Sequence, residues 1–201
     1  MSWIETIRYE SSGGRLRKIY DRVRGPDGQI DNILRLHSLR PHTLESHLAL
    51  YKSALHHTGN RLPIWLLEAI GTYVSLLNGC DYCLEHHFEG LRRLLADDKR
   101  AGAMRGAMET GDLSTGFDDR ELEILRYAER LTRDPATITE DDIERLRAAG
   151  LQDGEILEVN QVTAYFAYAN RTVQGLGGTT EGEALGLSPD PSDDLGDWEH
   201  G

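Results

Sequence analysis

The sequence predicts an all-α fold. Three observations carry that expectation. Apolar residues recur at helical spacing along most of the chain, helix starts and stops fall between those stripes, and no alternating apolar–polar run is long enough for a strand. Leu44, Leu48, Tyr51 and Leu55 form one stripe, and Leu66, Leu67, Ile70, Val74 and Leu77 a second. Phe88, Leu91 and Leu95 form a third, and Leu122, Leu125, Ala128 and Leu131 a fourth. Ile143 and Leu146 mark a short helix; Ile156, Val159, Val162, Phe166, Ala169 and Val173 mark a long one.

The punctuation supports these elements in order. Residues 1–40 read as a leader of short helices and loops, with one helix over Arg15 to Val23. Residues 41–180 form the helical domain. Within it, Pro63 suits a first helical turn, and Asn78 with Gly79 ends a helix just before Cys80. Asp97, Asp98, Gly102, Gly106, Gly111 and Gly116 make residues 97–117 a weak helix plus linker. Thr139 with Asp142 resembles a capping box whose acidic residue is one carbon short. Gly150 and Gly175 fit C-terminal stops. Residues 181–201 form an acidic tail with Pro189 and Pro191, expected to be extended, from which Trp198 can dock on a neighbour.

Composition narrows the function. The 201 residues are 39% hydrophobic and 28% charged, with a net charge of −12. That balance describes an ordinary globular protein and argues against nucleic-acid or anionic-membrane partners, which need a basic surface. No uncharged apolar run approaches the roughly 20 residues that span a bilayer. Met1 to Glu10 holds Glu5 and Arg8 and no apolar core, so it reads as neither a signal peptide nor an anchor. The expected location is the cytoplasm. Only two cysteines occur, and two residues separate them. A secreted disulfide scaffold uses more cysteines spread over long loops, so a lone close pair points to redox chemistry or metal.

The chemistry concentrates in Leu66 to Leu95, LLEAIGTYVSLLNGCDYCLEHHFEGLRRLL. Cys80 and Cys83 stand at a helix start, where N–H groups and the helix dipole favour a thiolate and the spacing permits a disulfide. His87 follows Cys83 by four residues, on the same helix face, where an imidazole can take a thiol proton. Glu68 lies among apolar residues, where a carboxylate is costly unless paired, and pairing with His87 would orient the imidazole. Periodicity alone leaves Glu68 open between a relay member and an exposed helix residue. Cys80, Cys83 and His87 also form a three-ligand set for zinc, although no second ligand pair with finger spacing exists. Inert core thiols are a further alternative. His37, His42, His47, His56 and His57, taken singly, read as surface or packing residues. His86 points about 100° away from His87 around the helix. Asn170 reads first as a buried amide serving a backbone group, and Arg171 as a surface ion-pair member.

The order Glu68, eleven residues, Cys80-x-x-Cys83, three residues, His87 resembles the motif of the AhpD-like alkylhydroperoxidase family, within the carboxymuconolactone decarboxylase superfamily. Every spacing matches. The resemblance is strongest over residues 41–96. DNILRLHSLRPHTLESHLALYKSALHH and YFAYANRTVQGLG are similar to flanking and final helices of its peroxidase-related subgroup. The resemblance implies an all-helical fold around a helical hairpin and assembly into homo-trimers or homo-hexamers. It implies antioxidant reduction of a hydroperoxide, with a dithiol electron donor, for instance of lipoyl type, and no metal, flavin or nucleotide. By the same resemblance Cys83 maps to the peroxide-attacking thiol, Cys80 to the resolving thiol, His87 to the base and Glu68 to its relay partner. One departure stands out: where some members carry a histidine between the cysteines, this chain has Tyr82. The superfamily's decarboxylases lack the cysteine pair, so that activity is not implied. A general thiol–disulfide oxidoreductase, a redox-sensing interaction protein and a zinc-binding protein remain the rival classes.

Overall fold

A computed structural model describes residues 2–199. The first residue of the leader and the last two of the tail lie outside it. The described residues form nine α-helices, three short 3-10 turns and no strand. No helix among them is long and apolar enough to cross a membrane.

The helices follow in order: α1 (Gly14–Val23), α2 (Asn32–Leu36), α3 (Pro41–Leu55), α4 (Ile64–Leu77), α5 (Asp81–Leu95), α6 (Asp98–Thr110), α7 (Asp119–Arg133), α8 (Glu140–Ala148) and α9 (Asp153–Leu176). Helix α4 is the axis. Every residue from Leu66 to Ser75 is buried, because α5, α7 and α9 pack around it. A helix apolar on all sides has no solvent face, and this one is enclosed accordingly.

The α4–α5 hairpin is fixed by its turn. Gly79 adopts φ 66°, the left-handed conformation that a helix C-terminal motif needs and that glycine takes without a Cβ penalty. Its N–H donates to the Leu76 carbonyl at 3.0 Å, and the Cys80 N–H donates to the Ser75 carbonyl at 2.9 Å. The Cys80 carbonyl then accepts the first bond of α5, from Leu84 N–H at 2.8 Å. Cys80 is therefore both the end of one helical motif and the N-cap of the next, so the backbone sets its position.

Three expectations are refined. Residues 97–117 contain a full helix, α6, rather than a weak one plus linker. Asp97 caps it by accepting from Arg100 N–H at 3.0 Å, and Ala101, Met104, Ala107 and Met108 bury one face. Tertiary burial outweighs the propensity cost of its glycines. The long helix ends at Gly177, φ 69°, and Gly175 lies inside it. The Thr139–Asp142 capping box forms despite the shorter acid, with Thr139 N–H donating to Asp142 Oδ2 at 2.8 Å.

After α9 the chain runs back across the hairpin as a non-helical strap. Arg93 donates to the carbonyls of Leu185 and Gly186 at 2.8 and 3.1 Å. The fully buried Lys52 donates through Nζ to the Asp190 carbonyl at 2.5 Å. Ser192 N–H donates to the His56 carbonyl at 3.0 Å, and Trp198 is buried in a cluster with Ile30, Leu44 and Leu48.

Candidate active site

The two sulfurs lie 2.6 Å apart, both buried and both free thiols. A disulfide bond is about 2.05 Å long, so a small movement closes it. The pair titrates as one unit. The sulfur–sulfur hydrogen bond lowers the Cys80 thiol, while the same bond, followed by burial, raises Cys83. The first charge thus falls more readily on Cys80, while the cavity reaches Cys83. Cys83 lines a cavity, whose space open to solvent included is about 730 Å³, and it is the cysteine of the pair found in that lining. Asn170 hydrogen-bonds Cys83 and favours its thiolate.

Glu68 and His87 meet on the wall of the same cavity, with Nδ1 and Oε2 2.7 Å apart. Glu68 is 2% exposed, which decides between the two readings of its helix position: it faces inward. The carboxylate takes the Nδ1–H, leaving Nε2 as the basic nitrogen. The edge of Phe166 packs on the His87 ring at 4.4 Å and an interplanar angle of 89°, fixing its plane. Among the described residues no hydrogen bond joins His87 to Cys83 directly. They stand one helical turn apart on α5 and share the cavity.

Further residues that single-residue reading passed over also converge here. His56 lies 3.6 Å from the other Glu68 oxygen and 3.0 Å from the Tyr51 hydroxyl. Burial pushes His56 down to about 4, against the opposing pull of Glu68, so it is neutral and leaves the carboxylate to His87. Burial, then the charge of Glu68, holds Tyr51 well above the usual phenol range. His47 lines the cavity, stacks on His37 at 4.8 Å and is pushed down to about 3 by burial. The reading of His37, His47 and His56 as surface or packing residues thus resolves to buried rings, and His42 and His57 remain outside the cavity lining. Tyr165 and Trp198 complete the aromatic wall.

Asn170 is fully buried but serves side chains rather than backbone: it donates to Ser75 Oγ at 3.1 Å and accepts from Asn78 at 2.8 Å. Arg171 donates to the Ala167 carbonyl of its own helix at 2.6 Å. Among the described residues no three His, Cys, Asp or Glu side chains are grouped as metal ligands.

No protein-family model and no curated protein matches this chain. Solved structures do. A peroxidase-related protein from Ralstonia eutropha JMP134, described as an alkylhydroperoxidase AhpD core, superposes with a TM-score of 0.77 at 21% identity, covering 89% of this chain and 91% of that one. The chain has the AhpD-like fold. A peroxidase-related protein from Silicibacter sp. TM1040 superposes on this AhpD-like chain with a TM-score of 0.76 at 24% identity, over 88% and 90% of the two chains. The debrominase Bmp8, as a cysteine-to-alanine variant in complex with 2,3,4-tribromopyrrole, superposes with a TM-score of 0.72 at 18% identity, over 90% and 95%. The AhpD-like fold is thus shared by uncharacterized peroxidase-related proteins and by a debrominase.

Proposed function

We propose that this protein is a thiol-dependent hydroperoxidase of the AhpD-like alkylhydroperoxidase family, using Cys83 as nucleophile and Cys80 as resolving thiol. One observation carries the reading: Cys83 and the Glu68–His87 pair open onto a single cavity, with the second thiol in contact behind the first. His87, oriented by Glu68, draws the Cys83 proton through the cavity. The thiolate attacks the distal oxygen of the hydroperoxide, the O–O bond breaks, and Cys83 becomes a sulfenic acid. Cys80 attacks Cys83 and releases water, giving the disulfide. A dithiol donor of lipoyl type restores both thiols by exchange. The peroxidase-related neighbours support this direction, and assembly into a homo-trimer or homo-hexamer in the cytoplasm accompanies it.

The test is a peroxide-consumption assay with dihydrolipoamide, run beside a thiol count. Turnover should vanish in Cys83→Ser. A second reading, reductive dehalogenation of a planar aromatic, draws on Tyr51, Tyr165 and Trp198 in the cavity wall and on the debrominase neighbour. It uses the same two thiols as reductant and releases halide. Halide release from a bromopyrrole, with no consumption of any hydroperoxide, would replace the first reading with the second.

A further inference from the structure

The peroxidase reading assigns one imidazole–carboxylate pair, yet a second imidazole, itself backed by a carboxylate, lines the same cavity. His86 Nε2 lies 2.9 Å from Glu183 Oε1, and His86 lines the cavity with Cys83. Glu183 belongs to the strap, and its side chain is only 2% exposed. Its second oxygen accepts the Asn32 N–H at 2.5 Å, so both oxygens are fixed. The Tyr82 ring lies 4.6 Å from that of His86, and its hydroxyl bonds Glu183 while accepting from Ile33 N–H at 3.1 Å. Asp31, pushed up to about 6 by burial, lines the same wall. A buried carboxylate–imidazole pair is costly to desolvate, and packing alone could use apolar residues there instead.

Breaking the peroxide bond creates a need that this pair meets. The oxygen leaving from a hydroperoxide is strongly basic, comparable to hydroxide. Expelling it unprotonated into an apolar cavity is unfavourable, and His87 has its own task at Cys83. Successive helix residues are about 100° apart, so adjacent histidines serve different walls.

We propose that His86, held by Glu183 of the strap, is the general acid that protonates the leaving oxygen. The inference rests on the peroxidase reading. The Cys83 thiolate forms an S–O bond with the distal oxygen, which keeps its hydrogen. The O–O electron pair departs with the other oxygen, which takes a proton from His86 Nδ1, the ring nitrogen that Glu183 does not engage, to give the alcohol. Sulfur is oxidised by two electrons and the peroxide is reduced by two. Tyr82, in the place of an inter-cysteine histidine, anchors the carboxylate that holds this acid.

The experiment compares two oxidants in the Cys80→Ser background, following Cys83 sulfenic acid in a single turnover. tert-Butyl hydroperoxide expels a basic alkoxide. Peroxybenzoic acid expels a carboxylate that needs no proton. His86→Gln and Glu183→Gln should slow the first reaction by at least about tenfold, within the range of general acid catalysis, and leave the second within about twofold. Alkylation of Cys83 by iodoacetamide, which requires no acid, should be unchanged. Equal slowing with both oxidants, slowed alkylation, or no effect on either would overturn the assignment. A parent protein that reacts with neither oxidant faster than free cysteine would instead overturn the peroxidase reading, and this inference with it.

Discussion

Glu68 stands between two imidazoles, 2.7 Å from His87 and 3.6 Å from His56, and only one of them is its working partner. His56 is held neutral by burial, so the charge of Glu68 acts on His87. Glu68→Gln keeps the shape and removes that charge. His87 then loses basicity, and a change of one pKa unit, about 1.4 kcal/mol, lowers the Cys83 thiolate roughly tenfold at a fixed pH below the thiol pKa. Alkylation of Cys83 against pH in Cys80→Ser, with and without Glu68→Gln, reads this directly. Superimposable profiles would make Glu68 a structural carboxylate. At this scale the sequence showed what one hairpin brings together. Glu68, Cys80, Cys83 and His87 all lie on one hairpin, so helical geometry alone relates them. Tyr51, His56, Glu183 and Trp198 arrive from other segments, and no local spacing announces them.

The crossing of α4 and α9 depends on Gly71. A Cβ there would fall well inside van der Waals contact with the Phe166 ring. Phe166 in turn packs edge-on against His87. Gly71→Ala should cost about 1–3 kcal/mol of stability, the usual range for overpacking. It should also slow Cys83 oxidation at temperatures where the protein stays folded, because the displaced ring releases the imidazole. Chemical denaturation and single-turnover oxidation measure the two effects, and a variant as stable and as fast as the parent would contradict both. The strap makes a second prediction. Trp198→Ala removes its buried anchor, so strap cleavage by a protease should accelerate and Cys83 should alkylate faster. Unchanged rates would mean that the strap does not guard the cavity. Periodicity could reveal α4 and α9 because their apolar stripes are long. It underrated α6, whose buried face is built from alanines and methionines, and it could not show that an acidic, proline-bearing tail folds back over the site.

Across the whole molecule, the buried ionisable groups tie stability to pH. His47 and His56 remain neutral in the fold down to about 3 and about 4, whereas in the unfolded chain each takes up a proton near 6.5. Asp31 acts oppositely, staying protonated up to about 6 in the fold. Between about pH 4 and 6 these three groups leave the unfolded chain with a net one proton more, contributing a rise in stability with pH of about 1.4 kcal/mol per unit, and the lowering of His37 by burial acts in the same direction. Urea unfolding at about pH 4.5 and about pH 6, inside that window, should show the lower midpoint at the acid end; a flat or inverted trend would mean that these histidines are not held neutral. The all-helical architecture was legible because it follows from periodicity summed over the chain. The burial that moves these groups was not, because it depends on which helices meet.

The central claim is that peroxide oxidises this particular thiol pair through Cys83. Stopped-flow mixing with a hydroperoxide, quenched with an alkylating agent and read by mass spectrometry, tests it most directly. The predicted result is loss of two hydrogens and no alkylation in the parent protein, with Cys83 sulfenic acid trapped in Cys80→Ser. Two freely alkylated cysteines after peroxide treatment, or faster oxidation of Cys80 in Cys83→Ser than of Cys83 in Cys80→Ser, would contradict it.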